Sequence, residues 1–330
     1  MTVVKDRPRV IPATALAVAA ALALPALAAC SGAARADTAG GGRDGRLKVT
    51  ASFYPLEFLV RRIGGSRVTV TDLTRPGVEP HDLELSPRQV GRLGDSDLAV
   101  YLRGLQPAVD AAIEQSGVRR AVDAAALTTL EDHGTEVDGR PGDTGDTGDS
   151  EAHRDDPGAD PHVWLDPVRY AQLARGIGAA LARADPASAA TYAKNTDALV
   201  GELTALDAAF RAGLRGRVSD TFVTTHAAFG YLAERYGLVE EAVAGVDPES
   251  EPGGARMKAL QDAARRGHAT TVFFEPLVSD RVASTVAGDL GVTTAVLDPI
   301  EGITDRSAGR DYFQVQRANL RALRRALGAA

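Results

Sequence analysis

The sequence predicts an α/β protein with parallel sheets in two halves. Short apolar segments rich in Val, Thr and Phe alternate with amphipathic segments of helical period, the rhythm of βαβ units and right-handed crossovers. That rhythm runs twice, once on each side of a longer helical pattern. The longer pattern, residues 186–214, carries Tyr192, Leu199, Leu203, Leu206, Phe210 and Leu214 as one stripe. At ~1.5 Å per residue its 29 or so residues extend roughly 43 Å, enough to run along or between two domains. A chain of 330 residues, 44% of them hydrophobic, has the material for about two cores.

The first half starts with a strand at Leu47–Ala51. Pro55–Ile63 follows as a helix, stopped by Gly64-Gly65. Val68–Thr71 is the next strand, and Ser86-Pro87 opens a helix because proline suits its first position. Leu98–Tyr101 is a strand, Gln106–Gln115 a helix and Ala121-Val122 a short strand. Asp166-Pro167 caps a helix to about Ala182, and Asp185-Pro186 caps the long one. In the second half, Thr221–Thr225 is a strand ending at His226, Ala227–Tyr236 a helix and Ala242–Ala244 a strand. Gly254–Arg266 is a helix, Thr271–Phe274 a strand ending at Glu275, and Asp280–Leu290 a helix. Thr294–Leu297 is a strand ending at Asp298, and Tyr312–Leu327 closes the chain as a helix.

Residues 1–30 stand outside this pattern. A basic start (Lys5, Arg7, Arg9) precedes the apolar run Ile11–Leu27, which ends in Leu27-Ala28-Ala29-Cys30. This is the layout of a secretory signal. Cys30, the only cysteine, stands where bacterial lipoprotein signals place the residue that becomes lipidated. With no second cysteine, an intrachain disulfide is excluded. Residues 31–46, rich in Gly, Ala, Asp and Arg, read as a flexible tether.

Residues 131–160 hold eleven acidic residues against two arginines, a net of −9, so the rest of the chain sums to +2. Their Gly-Asp-Thr repeats cannot bury apolar surface and predict a disordered acidic loop, with His133 and His153 inside it. The overall charge of −7 argues against nucleic acid as a partner.

Three of the six histidines, His81, His162 and His226, sit at strand-to-loop transitions, where open α/β sheets bind ligands. The first two belong to the first half and the third to the second. A site between the halves collects all three, and imidazole nitrogens suit zinc. Asp298 and Glu301 each offer a carboxylate as a fourth ligand. Histidines this far apart form no local motif. His-Glu-x-x-His is absent, which counts against a zinc hydrolase. Trp164 reads as packing that fixes the His162 loop, Asp166 as a helix cap and His268 as an exposed loop residue.

Six segments carry a resemblance. They are Ala51–Leu56 (ASFYPL), Glu79–Pro87 (EPHDLELSP), Asp160–Pro167 (DPHVWLDP), Thr224–Ala233 (TTHAAFGYLA), Phe273–Pro276 (FFEP) and Leu297–Gly302 (LDPIEG). In these, and in their order across residues 47–330, the chain resembles the metal-binding lipoproteins of zinc and manganese ABC importers, the cluster A-I solute-binding proteins. The resemblance implies two parallel-sheet lobes joined by one long rigid linker helix, with metal held in the cleft by His81, His162 and His226. Its fourth position falls at the last segment, with Glu301 favoured and Asp298 or water as substitutes. Glu275 is implied as a structural residue at the cleft floor. The loop 131–160 matches a metal-rich loop of zinc members but holds few histidines.

The division that follows is a lipoprotein signal peptide at 1–30, a tether at 31–46, an N-terminal lobe at 47–185, a linker helix at 186–214 and a C-terminal lobe at 215–330. Three imidazoles with at most one carboxylate favour Zn2+ over manganese. The expectation is an extracytoplasmic zinc-binding lipoprotein, monomeric, held at the cell membrane through lipidated Cys30. It is not an enzyme, and it delivers Zn2+ to the permease of an ABC importer. The alternatives are a manganese-binding protein of the same importer class, a zinc-dependent hydrolase, and a cell-adhesion protein whose metal is structural.

Overall fold

The structure is a computed structural model describing residues 45–133, 159–248, 253–277 and 279–329, together with Thr2. The expected signal peptide with Cys30, nearly all of the tether, and residues 134–158 of the acidic stretch with His153 lie outside the described residues. The chain divides into two units, Met1–Ala39 and Gly40–Ala330, and the second holds all the elements of the fold. Among the described residues no helix is long and apolar enough to cross a membrane.

Two four-stranded parallel sheets form the frame. The first has the order β2-β1-β3-β4, from β1 (Leu47–Ala51), β2 (Val68–Asp72), β3 (Leu98–Tyr101) and β4 (Ala121–Asp123). The second has the order β6-β5-β7-β8, from β5 (Thr221–His226), β6 (Val239–Ala244), β7 (Thr271–Phe274) and β8 (Thr293–Val296). Each half thus winds the same way, and chain order reverses beside β1 in one sheet and beside β5 in the other. Such switch points open a crevice at the carboxyl ends of the strands.

Around the first sheet lie α1 (Tyr54–Gly64), α2 (Pro87–Gly94), α3 (Pro107–Ser116) and α4 (Pro167–Ala184). Gly65 ends α1 at φ 54°, a backbone state that suits glycine. Ser86 and Gln89 close a capping box at the start of α2, and Asp166 caps α4 through the Val168 N–H. The second sheet carries α6 (Gly230–Tyr236), α7 (Gly254–Arg266) and α8 (Arg281–Leu290).

The long helix α5 spans Ala189–Gly213, 25 residues, and connects the two lobes. The expected start at Pro186 is three residues early: Pro186–Ser188 forms a 3-10 turn, and the α-helical ladder begins after it. The predicted stripe is buried as expected, with Thr196 and Val200 widening it. Two further starts differ by three residues, and other boundaries shift by one or two. The α6 helix begins at Gly230 rather than Ala227, because Ala227 and Ala228 turn tightly behind His226. Strand β6 begins three residues earlier than its apolar core, since Glu240 and Glu241 are buried within it.

One continuous apolar core runs through both lobes. It includes Val49, Leu59 and Trp164 from the first, Leu199 and Phe210 from α5, and Phe222, Phe273 and Leu297 from the second. The last helix, α9 (Tyr312–Ala326), folds back so that Tyr312 and Phe313 pack on Phe58 of α1, with ring centroids 5.7 and 5.9 Å apart.

Candidate metal centre

His81 lies in the loop between β2 and α2, and His162 in the turn before α4. His226 is the last residue of β5, and Glu301 follows β8. The four offer ligand atoms that all lie within 4.8 Å of one another. Glu301 Oε1 is 3.5, 3.4 and 3.9 Å from the Nε2 atoms of His81, His162 and His226. Four ligands about 2.0–2.1 Å from a tetrahedral zinc sit about 3.3 Å apart, so these separations match such a shell after slight contraction.

Burial makes the arrangement informative. The three Nε2 atoms and both Glu301 oxygens are buried without a hydrogen-bond partner. A buried polar group left unpaired costs about 1–3 kcal/mol, and five such atoms on four neighbouring side chains form an arrangement that suits a cation. The side chains of His162 and Glu301 are fully buried, whereas that of His81 is 11% exposed, which makes His81 the least buried of the three.

The rings are aimed from behind. Asp160 Oδ1 accepts from His162 Nδ1 and from the His162 backbone N–H, both at 2.8 Å. Glu275 Oε1 lies 2.6 Å from His226 Nδ1 and accepts from the Thr225 hydroxyl at 2.8 Å. A carboxylate behind a histidine fixes its tautomer and points Nε2 outward. Glu275 sits just past β7, next to the end of β5, so the switch point of the second sheet supplies both the histidine and its orienter. The His81 backbone N–H donates to Glu79 Oε1 at 3.4 Å.

Charge follows the same geometry. Burial opposes a proton on His162, but the Asp160 hydrogen bond and the nearby Glu301 carboxylate outweigh it and push the imidazole up to about 10. His226 is also raised, burial again opposing and Glu275 prevailing. Burial works against Glu301's charge, but His162 and His81 hold it well below the ordinary carboxylate range. Burial first, and the Glu301 charge second, push Glu79 up to about 9.

Asp298 stands outside the group of four. Its Oδ1 accepts from the Ile300 N–H at 2.8 Å, and Asn319 of α9 grips its backbone at both the N–H and the carbonyl, 3.0 and 2.7 Å. Burial pushes its carboxyl up to about 7. It braces the turn that presents Glu301. Ile300 in that turn has φ 62° and is fully buried. A β-branched residue rarely occupies this region, and the strain costs about 1–3 kcal/mol.

The expected cap role of Asp166 is present, and Asp166 does more. Its Oδ2 accepts from Arg235 of α6 at 2.6 and 2.8 Å, a partly buried tie between the lobes. His268 is exposed, as expected. Trp164 is buried, and its indole N–H donates to the Pro299 carbonyl at 2.6 Å, so it contacts the Glu301 turn as well as the His162 loop. The orienting role of Asp160 is not among the sequence-based expectations. Its place two residues before a candidate histidine was the available signal.

Asp160 also orients a second histidine, His133, through Oδ2 at 3.0 Å. His133 Nε2 faces Glu131 and Glu234 at 3.9 and 3.6 Å. The Arg169 guanidinium, stacked over Tyr231 at 4.7 Å, bonds both carboxylates. The cation there is already an arginine. The foot of the acidic stretch is therefore an ion-paired junction between α4 and α6.

Known proteins similar to this chain carry zinc in their names. The zinc-binding lipoprotein AdcA of Streptococcus pneumoniae is 34% identical over 287 residues, covering 85% of this chain and 56% of that protein. The chain thus spans about half the length of that relative. The high-affinity zinc uptake system protein ZnuA of Bacillus subtilis is 31% identical, covering 91% of this chain and 93% of its own length. Among solved structures, the Zn(II)-bound ZnuA-like domain of S. pneumoniae AdcA superposes with a TM-score of 0.69 at 30% identity, covering 86% of this chain and 99% of that domain. The family described as periplasmic zinc-uptake complex component A matches residues 49–326, nearly the whole described fold, and the chain belongs to that family.

Proposed function

We propose that the protein captures Zn2+ outside the cytoplasm and delivers it to the permease of an ABC importer. One observation carries this reading: five buried, unpartnered atoms belong to the neighbouring His81, His162, His226 and Glu301, and Glu301 Oε1 stands 3.5, 3.4 and 3.9 Å from the three Nε2 atoms, close to the separations of a tetrahedral zinc shell. Three imidazoles and one carboxylate favour zinc over manganese, which prefers more oxygen. Four protein donors leave no open position for a water nucleophile, so the site stores rather than reacts.

Each donor has a part in capture. His81, whose side chain is less buried than those of His162 and Glu301, meets the ion first. His162 and His226, held by Asp160 and Glu275, accept it with little reorganisation. Glu301 neutralises one charge. On this reading residues 47–185 and 215–330 are the two metal-binding lobes, 186–214 the linker between them, and 1–30 a signal ending at a lipidated Cys30. A monomer tethered at the membrane face keeps its cargo close to the permease.

The test is a competition titration of the metal-free protein with zinc and manganese, for the parent and for His226→Glu. The parent should bind one zinc far more tightly than manganese, and His226→Glu should narrow that gap. Equal affinity of the parent for both ions would sink the assignment.

A further inference from the structure

His162 and Glu301 reach the shell from opposite lobes, and one side chain joins the turns that carry them. Trp164 stands two residues after His162 in the 3-10 turn Val163–Leu165. Its indole N–H donates to the Pro299 carbonyl at 2.6 Å, two residues before Glu301. Its own carbonyl accepts from the Tyr312 hydroxyl at 2.6 Å, and Gln316 donates to the Leu165 carbonyl at 3.2 Å, so α9 holds the turn in place. The indole lies edge-on to Phe53, with centroids 4.9 Å apart, and 5.2 Å from the His162 ring.

The receiving peptide is gripped at both ends. The Pro299 carbonyl and the Ile300 N–H belong to one planar unit. Trp164 holds its oxygen, and Asp298 Oδ1 holds its N–H. The next rotation along the chain is φ of Ile300, at the strained value of 62°. Relaxing it while this peptide stays fixed would swing Glu301 out of the shell. If the oxygen were released, the strain could relax by rotating the peptide itself. A strained residue persists only where its surroundings over-determine it, and here one of those constraints comes from the opposite lobe.

We propose that Trp164 is a positioning residue for Glu301: its indole N–H pins the Pro299–Ile300 peptide across the lobes and so sets the carboxylate's place in the metal shell. The inference rests on the assignment of Glu301 as the fourth ligand. Trp164 itself touches no ion. It acts on the Glu301 turn as Asp160 acts on His162, from the layer behind the ligand.

The chain has a single tryptophan, which permits a precise deletion of that N–H. Growth on β-(3-benzothienyl)alanine replaces the indole by a ring of the same outline with sulfur in place of N–H. Zinc affinity is then measured against a chromophoric chelator, well below each protein's unfolding midpoint, for the parent, the analogue protein, Glu301→Gln and the combination. The analogue should lose about 10-fold in affinity, the low end for outer-layer partners of a metal ligand. Its Co2+ form should show weaker visible absorption as water replaces the carboxylate. Adding Glu301→Gln should cause no further loss, because both changes remove the same ligand. Parent-like affinity in the analogue would overturn the proposal, and so would losses that multiply in the combination. Trp164→Phe repeats the cycle with a natural side chain if the analogue protein does not fold. Glu301→Gln with unchanged affinity would instead refute the assignment of Glu301 as a ligand, a result separate from failure of the Trp164 link.

Discussion

His162 shows how much one carboxylate changes a histidine. A free imidazole titrates near 6.5, and at that value zinc would meet little proton competition at neutral pH. Held by Asp160 and facing Glu301, His162 is pushed up to about 10, so the ion has to displace a proton. The pH window of proton competition therefore lies above that of a free imidazole: zinc affinity should climb as pH rises from about 6.5 toward 10. Binding at pH 7 should release at least one proton, read as a difference in calorimetric enthalpy between buffers of unlike ionisation heat. Identical enthalpies in both would rule this out. The sign for the metal-free fold is the reverse. A raised imidazole contributes stability that is complete below about 6.5 and is lost as pH rises through about 10. At the same scale, Asp298→Asn keeps the Oδ1 acceptor for Ile300 and should stay within about 3-fold of parental zinc affinity, whereas Glu301→Gln should fall by about 10-fold or more. A larger loss for Asp298→Asn than for Glu301→Gln would make Asp298 the fourth ligand.

Between elements, α4 lies close against α5. A Cβ on Gly178 would stand 2.2 Å from the Thr196 hydroxyl, whose own hydrogen bond runs back to the Tyr192 carbonyl at 2.8 Å. Glycine there lets the linker helix lie against the first lobe. Gly178→Ala should lower stability by about 1–3 kcal/mol through overpacking, and Thr196→Ala in the same chain should restore part of it. Thermal unfolding of the three variants decides this, and equal midpoints for parent and Gly178→Ala would refute it. Asp166 links elements differently, capping α4 while holding Arg235 of α6. Asp166→Ala should cost more than an ordinary cap, about 3–5 kcal/mol, because it leaves a partly buried guanidinium without its partner. A loss near 1 kcal/mol in denaturant titration would mean that only the cap matters.

For the whole molecule, the two lobes share one apolar core and are tied by Trp164–Pro299, Arg235–Asp166 and the packing of α9 on α1. Packed cores resist continuous deformation. Hinge closure over a ligand is easiest where loops alone connect the domains, and here a 25-residue helix makes the connection. Zinc binding should therefore change the radius of gyration little, by about 1 Å or less on the scale of shear-type motion. Small-angle scattering with and without zinc measures it, and a compaction of several ångströms would overturn this view.

Much was legible in the sequence because it is encoded locally. Strand–helix alternation, proline and serine starts, glycine stops and the stripe on α5 each depend on residues within a few positions of one another. The three histidines stood out because each ends a strand or opens a loop, and the six ordered segments linked them to a family. Proximity in space was not legible. That His81, His162, His226 and Glu301 meet follows from two sheets placing their carboxyl ends face to face. That Glu301 rather than Asp298 faces the shell depends on an Ile300 backbone state which no local propensity favours. The roles of Asp160, Glu275 and Trp164 come from hydrogen bonds spanning 2, 49 and 135 positions. The sequence alone thus determined which chemistry was available and roughly where each element begins and ends. The tertiary structure decided which donors share one point, because long-range packing is what brings distant polar atoms together, buries them and leaves them unpaired.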